Sequence, residues 1–543
     1  MTMSTWLILL TPGTPLLLLL ACIIPQVRVR MLEVLVLAPL PALTAALYAA
    51  EAPPVILDLP GLQLTLALDL PGALLLGPAA LLWIGAGIYA ARSMRGDPDC
   101  TRFEIFWLLT LTGSLGVFLA ADLLSFYLTY AFVSLAAYGL VVQDGTPSAR
   151  RAATLYVNLA VLGEALLLAG FVLLASSRSD GSLLIRDVVA ALPDSPYRDA
   201  TLGFVVAAFA LKIAIVPGHV WMPLTYRAAP TSASAALSGA GVKAGVIGLL
   251  RFLPFATGLP GWGDALAVFG FITAFYGVLI GLTQRHPKTI LAYSSISQMG
   301  VIAAAIGLTL AAPAGDLTPI AFYAAHHVLV KGALFLAIGV AAASATRLVW
   351  LVIVPAAIIA LGLGGLPLTG GMLAKLSLKD TFGYGLSGAL NIASAAGTTL
   401  LMLHFLRQLA GTHAADAQAR SPTGLIIPWL ALAIAAVAVP WALFSATDLG
   451  SVTDAVSLYV LWASLWPMLI GAALFLIVRR LDKRLPYVPA GDILIFGGVL
   501  MRAARACGDI AIQADEVIRR WTVAGLSLLV LLCALGAALL AGR

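Results

Sequence analysis

Lys212, Lys243, Lys331 and Lys375 each lie inside a long apolar run, and a charged side chain at mid-membrane costs about 2.5–3.5 kcal/mol on insertion scales. Glu164 is central in another such run, and His326 and His327 share the run that holds Lys331. One intramembrane lysine is readily explained by snorkelling or a structural ion pair. Four of them, with histidines among them, define a polar axis through an apolar chain. The chemistry open to such a set is proton transfer. Desolvation disfavours an ammonium, so a modest change in a nearby charge loads or unloads a buried lysine. An imidazole both accepts and donates near neutral pH, and bridging waters complete the hops.

Other chemistries find no support. Gly281-Leu282-Thr283 and the glycines near Gly362 do not follow a strand, so they are not phosphate loops. His219 and the pair His326, His327 lack H-E-x-x-H spacing and make a poor metal site. Cys22, Cys100, Cys507 and Cys533 show no C-x-x-C spacing, which argues against an iron–sulfur cluster, a zinc site or a disulfide framework. No cofactor, metal or redox centre is expected.

The elements that must position these residues are membrane helices. Of 543 residues, 61% are hydrophobic and 10% charged, against roughly 25% charged in soluble domains. The expectation is an all-α polytopic membrane protein forming one membrane domain. The net charge of +6 is spread over short loops, so nucleic-acid binding is not expected. A bilayer core of about 30 Å needs about 20 apolar residues per helix, which gives about sixteen spans, from 6–24 to 522–541. The first run has no basic leader or cleavage site and reads as a retained span. Glu164 falls in 153–176, Lys212 in 202–222, Lys243 in 232–254, the two histidines and Lys331 in 317–342, and Lys375 in 348–382. Tryptophans such as Trp6, Trp107, Trp350 and Trp521 fall near span ends as interfacial anchors.

Arg28 and Arg30, Arg92 and Arg95, Arg150 and Arg151, Arg285 and Lys288, Arg347, Arg407 and Arg420, and Arg479 to Arg484 occupy roughly every second connection. Both termini then face the outside of a cell inner (cytoplasmic) membrane. The loop 177–201, with Arg178, Arg186 and Arg198 on the outer side, is the exception.

Two runs contain helix breakers beside their lysine: Pro217-Gly218 after Lys212, and Gly362, Gly364, Gly365, Pro367, Gly370 and Gly371 before Lys375. Broken backbone at membrane depth is tolerated where it lines a protein-walled or wet cavity. Two such breaks about five spans apart suggest an inverted repeat. The chain therefore divides into N-terminal helices (1–103), a first repeat (104–254), a second repeat (263–408) and C-terminal helices (424–543). The last of these includes an amphipathic stretch, 491–521, readable as a helix in the headgroup layer or as a brace for a partner.

The ordered runs Lys212-Ile-Ala-Ile-Val-Pro-Gly-His-Val-Trp-Met-Pro, Ala229-Pro-Thr-Ser-Ala-Ser-Ala, Val242-Lys-Ala-Gly-Val-Ile-Gly, Leu291-Ala-Tyr-Ser-Ser-Ile-Ser-Gln-Met-Gly, His327-Val-Leu-Val-Lys-Gly-Ala-Leu-Phe-Leu and Gly365-Leu-Pro-Leu-Thr-Gly-Gly-Met-Leu-Ala-Lys resemble the antiporter-like membrane subunits. These are the proton-translocating subunits of respiratory complex I, Mrp-type cation/proton antiporters and membrane-bound hydrogenases. The resemblance implies two inverted five-helix repeats and a lysine and histidine chain crossing the subunit at mid-membrane. Lys212 matches the lysine of the first broken helix and Lys243 that of the following helix. His327 with Lys331 match an H-x-x-x-K pair, Lys375 the ionisable residue of the second broken helix, and Lys288 the lysine ahead of L-A-Y-S-S. The amphipathic stretch resembles a shortened lateral helix.

One departure bears on mechanism. The family carries a Trp-Glu pair on its fifth helix, and the glutamate partners the first broken-helix lysine; Tyr130-Ala131 stand there in this chain. Glu164 or Asp122 could substitute. His286 stands where an acid precedes the lysine at 288, and Gly218 where a leucine is usual. The function expected is a proton-conducting subunit of a multi-subunit energy-coupling complex, with other membrane subunits as partners and Na⁺ or K⁺ exchange left open. The alternatives are a proton conduit energising a soluble enzyme, as in inorganic-carbon uptake, which the missing glutamate would favour, and a structural anchor subunit. A standalone cation antiporter is a further possibility.

Overall fold

The computed structural model describes residues 2–60, 62–178, 180–481 and 488–491. The last predicted span, all but the first residue of the amphipathic stretch 491–521, and Cys507 and Cys533 lie outside them. Among the described residues, twelve helices are long and apolar enough to cross a membrane, among them Leu70–Ser93, Pro147–Ser176, Pro260–Leu282, Pro287–Ala311, Thr318–Ala342 and Leu386–Ala410. The runs predicted at 104–120, 202–222 and 348–382 depart from this pattern. The first is the 17-residue helix Cys100–Gly116. The second is split into Arg198–Lys212 and Trp221–Ala228, and the third into Trp350–Gly364 and Gly370–Ser377.

The expectation of a purely helical chain needs one correction. Between the first helices and Leu70–Ser93 the chain forms an antiparallel hairpin, β1 (Val55–Leu59) with β2 (Leu62–Leu66), in which Val55 faces Leu66 and Leu57 faces Leu64. The alternation that makes it possible is short: Val55, Thr65 and Leu66 are buried while Ile56 and Gln63 are exposed. The loop 177–201 also has a physical account. Arg178 pairs with Asp180, Arg186 with Asp187 at 3.0 Å, and Arg198 with Asp199 at 3.1 Å. Each cation that breaks the alternation of basic loops thus sits against an adjacent carboxylate.

Helix packing relies on small residues, as expected where apolar side chains gain nothing over lipid. Pro260–Leu282 and Pro287–Ala311 touch along their backbones: a Cβ at Gly270 would stand 2.4 Å from the Ala304 nitrogen, and one at Gly300 2.4 Å from that of Ala274. The N-terminal helices are not a separate layer, because Leu70–Ser93 packs against both Thr318–Ala342 and Thr423–Ala446. Arg251 ties one end of the fold together. Its guanidinium donates to the carbonyls of Val117 (3.1 Å), Ala120 (2.8 Å) and Phe118 (2.7 Å) just past the Cys100–Gly116 helix and pairs with Asp69 at 2.6 Å. Carbonyls freed at a helix end thereby receive a cationic donor.

Candidate functional site

Lys212 is the last residue of its half-helix. The chain then turns through Ala214, whose φ of 61° is left-handed, and resumes as a short turn at Gly218–Val220. The break leaves Lys212 facing the Leu123–Leu135 helix. Its Nζ donates to Ser134 Oγ at 2.9 Å and lies 5.5 Å from the centre of the Tyr130 ring, within cation–π range. Glu164, 5% exposed on Pro147–Ser176, stands within electrostatic reach of Lys212, and neither of its carboxylate oxygens has a hydrogen-bond partner among the described residues. Tyr130, Ser134, Tyr156, Gly163 and Lys212 line a small cavity with room for about one water.

Of the two carboxylates the sequence offered to Lys212, Asp122 is placed elsewhere. It caps the Leu123–Leu135 helix, accepting from the Leu124 and Ser125 nitrogens at 2.9 and 2.8 Å, and also accepts from the Thr65 nitrogen of the hairpin. An aspartate at the start of a helix is the preferred acceptor for the free amides there, and three backbone donors hold this one at the end of the helix.

Lys243 is completely buried. Its Nζ is 2.9 Å from His327 Nδ1 and donates to the Gly239 carbonyl at 3.1 Å. Gly239 lies in Leu237–Gly241, which winds as a π-helical turn, a local widening frequent at functional sites. Lys331, one helical turn beyond His327 and equally buried, donates to the Leu291 carbonyl at 3.1 Å. The Lys212 stem packs beside the helix that carries Lys243, at Gly245, whose ideal Cβ would lie 3.0 Å from Lys212 Cβ. Lys243 from one helix thus meets His327 and Lys331 from another.

His326 and Lys375 continue the group. His326 is 4% exposed, and its Cε1 would be 3.1 Å from a Cβ at Gly371, at the second break. Gly365, with φ 106°, ends the first half-helix; Leu368 is left-handed, and the chain resumes at Gly370. Lys375 lies on the resumed half, its Nζ buried without a hydrogen-bond partner among the described residues, and interacts electrostatically with His326. A side chain at Gly371 would collide with the Gly362 carbonyl, 1.7 Å away, so the two half-helices overlap closely here. Pro217, Gly218, Pro367, Gly370 and Gly371 thus all fall in or at the ends of the two interruptions.

Lys288 stands apart. Its Nζ donates to the Ala229 carbonyl at 2.7 Å, at the end of the Trp221–Ala228 helix, with Asp144 within electrostatic reach. Asp144 and Ser134 are neighbours that sequence reasoning missed, and Tyr130 enters it only as standing in place of the family's tryptophan. Each stands far along the chain from its lysine, and neither a serine nor a tyrosine in an apolar run carries a signal of its own.

Residues 120–402, just over half of the chain, match the family described as NADH:quinone oxidoreductase/Mrp antiporter, TM. The chain is 28% identical over 282 residues to a Na(+)/H(+) antiporter subunit of Alkalihalophilus pseudofirmus, covering 51% of this chain and 56% of that protein. It is 28% identical over 295 residues to the hydrogenase-4 component B of Escherichia coli, covering 51% and 43%. It thus spans about half the length of these curated relatives. Its fold is also similar to a chain in the solved structure of the Mrp complex from Dietzia sp. DQ12-45-1b, with a TM-score of 0.78 and 21% identity, covering all of this chain and 63% of that one.

Proposed function

Because the chain belongs to the NADH:quinone oxidoreductase/Mrp antiporter membrane-subunit family, we propose that it is the proton-conducting subunit of a larger energy-coupling membrane complex. On this reading the chain has about sixteen spans, ten of them in two inverted five-helix repeats, and resides in the inner membrane. Protons move along Glu164, Lys212, Lys243, His327, Lys331, His326 and Lys375, while a partner supplies the driving force. Lys288 and Asp144 form an approach at the rim.

The 2.9 Å contact between Lys243 and His327 carries this reading. An ammonium and a neutral imidazole at that distance exchange a proton without rearranging heavy atoms. Two or three cations packed in one desolvated group repel strongly, so the group holds fewer protons than it has sites. A proton arriving at one site then drives another onward. Glu164 supplies the switch at the first break: with its carboxylate charged, the Lys212 ammonium is favoured, and once the carboxylate is protonated that lysine releases its proton toward Lys243. The Glu164–Lys212 arrangement also removes the reason for preferring a passive conduit, since a carboxylate stands near the lysine although Ala131 occupies the family's position.

Glu164→Gln tests this assignment. It should lower coupled proton movement in membrane vesicles at least about tenfold, below the full range of one general acid–base group, with subunit assembly unchanged, while Glu164→Asp retains part of the activity. Full transport in Glu164→Gln would overturn the switch.

A further inference from the structure

A polar pocket lies beside the residues that the family match leaves out. Arg28, Leu32, Glu33, Arg95, Cys100 and Glu104 wall a cavity of about 510 Å³ next to the start of the Cys100–Gly116 helix. Glu104 is 3% exposed. Its Oε1 accepts a long contact from the Cys100 thiol, 3.4 Å, and thiols are weak donors; the Leu32 backbone also stands close to the carboxylate. Its Oε2 is buried with no hydrogen-bond partner among the described residues. Glu33 is satisfied, paired with Arg95 at 3.0 Å, whereas exposed Arg28 forms no hydrogen bond or close ion pair among the described residues and stands within electrostatic reach of Glu104.

A buried carboxylate oxygen without a donor is strongly unfavourable, and the open side from which a donor can reach Glu104 is this cavity. The cavity also presents the Arg28 cation, so its charge pattern fits a ligand carrying an N–H cation and an anion a few bonds apart. Leu20, Ile23, Ile24 and Val29, which precede and flank Arg28, are 50–86% exposed and give such a ligand an apolar surface to continue along. We propose that this pocket binds the headgroup of a phospholipid bearing a primary amine, with its ammonium on Glu104 and its phosphate on Arg28. A primary ammonium offers three N–H donors at hydrogen-bond distance; a trimethylated one offers none, and a glycerol headgroup would set a net anion against Glu104. The site is independent of the proton pathway and would fasten the N-terminal helices to the bilayer.

The test is native mass spectrometry of the full-length protein released from vesicles of phosphatidylethanolamine, phosphatidylcholine or phosphatidylglycerol. The site predicts retained phosphatidylethanolamine well above the other two. Glu104→Gln and Arg28→Gln should each reduce it about tenfold, the scale of one hydrogen bond to a charged group. Because Arg28 is an exposed residue, its replacement leaves folding intact, so undiminished retention in Arg28→Gln would overturn the site, as would equal retention of all three lipids by the unaltered protein.

Discussion

Ser134 shows what a single hydroxyl does beside a buried lysine. It accepts from Lys212 at 2.9 Å, so it orients the ammonium without carrying charge. Ser134→Ala should cost about 1–3 kcal/mol through the lost bond to a charged or buried amine, seen as a lower unfolding midpoint in detergent. It should slow transport less than Glu164→Gln does. An equal or larger transport defect would make Ser134 itself part of the relay. The lysines were legible because a cation in an apolar run is conspicuous, and Glu164 for the same reason. Tyr130 and Ser134 were not, because they matter only through which helices meet, and Asp122 was misleading because capping requires the same residue type as ion pairing.

The interruptions were legible as elements, since proline and clustered glycines have no place in an unbroken span. Their internal geometry was not. The π-helical turn at Leu237–Gly241 arises in a small-residue stretch without any proline, and the hairpin β1–β2 is too short for its alternation to stand out. Gly371→Ala should displace the second break, given the Gly362 carbonyl at 1.7 Å from the new methyl, lowering both stability and transport. Gly261→Ala, with nothing within 4 Å, should be neutral or stabilising by up to about 1 kcal/mol; similar effects in both variants would contradict the overlap of the half-helices.

At the start of the Pro287–Ala311 helix, His286 Nδ1 accepts from the Lys288 nitrogen at 3.2 Å. His286 is solvent-exposed on one side, yet partial desolvation of its ring, with Arg227 and Lys288 as neighbouring cations, holds it down to about 4. Between about pH 4 and 6.5 the unfolded chain therefore binds the extra proton and the folded one does not, so stability falls as pH drops through that window and is fully present above it. Unfolding midpoints at pH 7 and pH 5 should converge in His286→Asn, which keeps a cap without a titrating ring. An unchanged acid loss would assign it to other groups.

For the whole molecule, composition alone was enough to recognise a polytopic membrane chain, and the ordered motifs identified a family that the match over residues 120–402 supports. Partners were not legible, because they act through surfaces that in a membrane protein look like lipid-facing apolar helix. A mild-detergent pull-down should recover further membrane subunits with this chain; recovery of the chain alone from intact membranes would contradict its role as a subunit. Proton conduction through the buried group is tested most directly by the pH change inside sealed vesicles holding the assembled complex. Lys243→Ala should abolish coupled proton movement while assembly persists, and Lys379→Ala, at an exposed lysine just beyond the second break, should leave it intact. Full proton movement in assembled Lys243→Ala complexes would contradict the account.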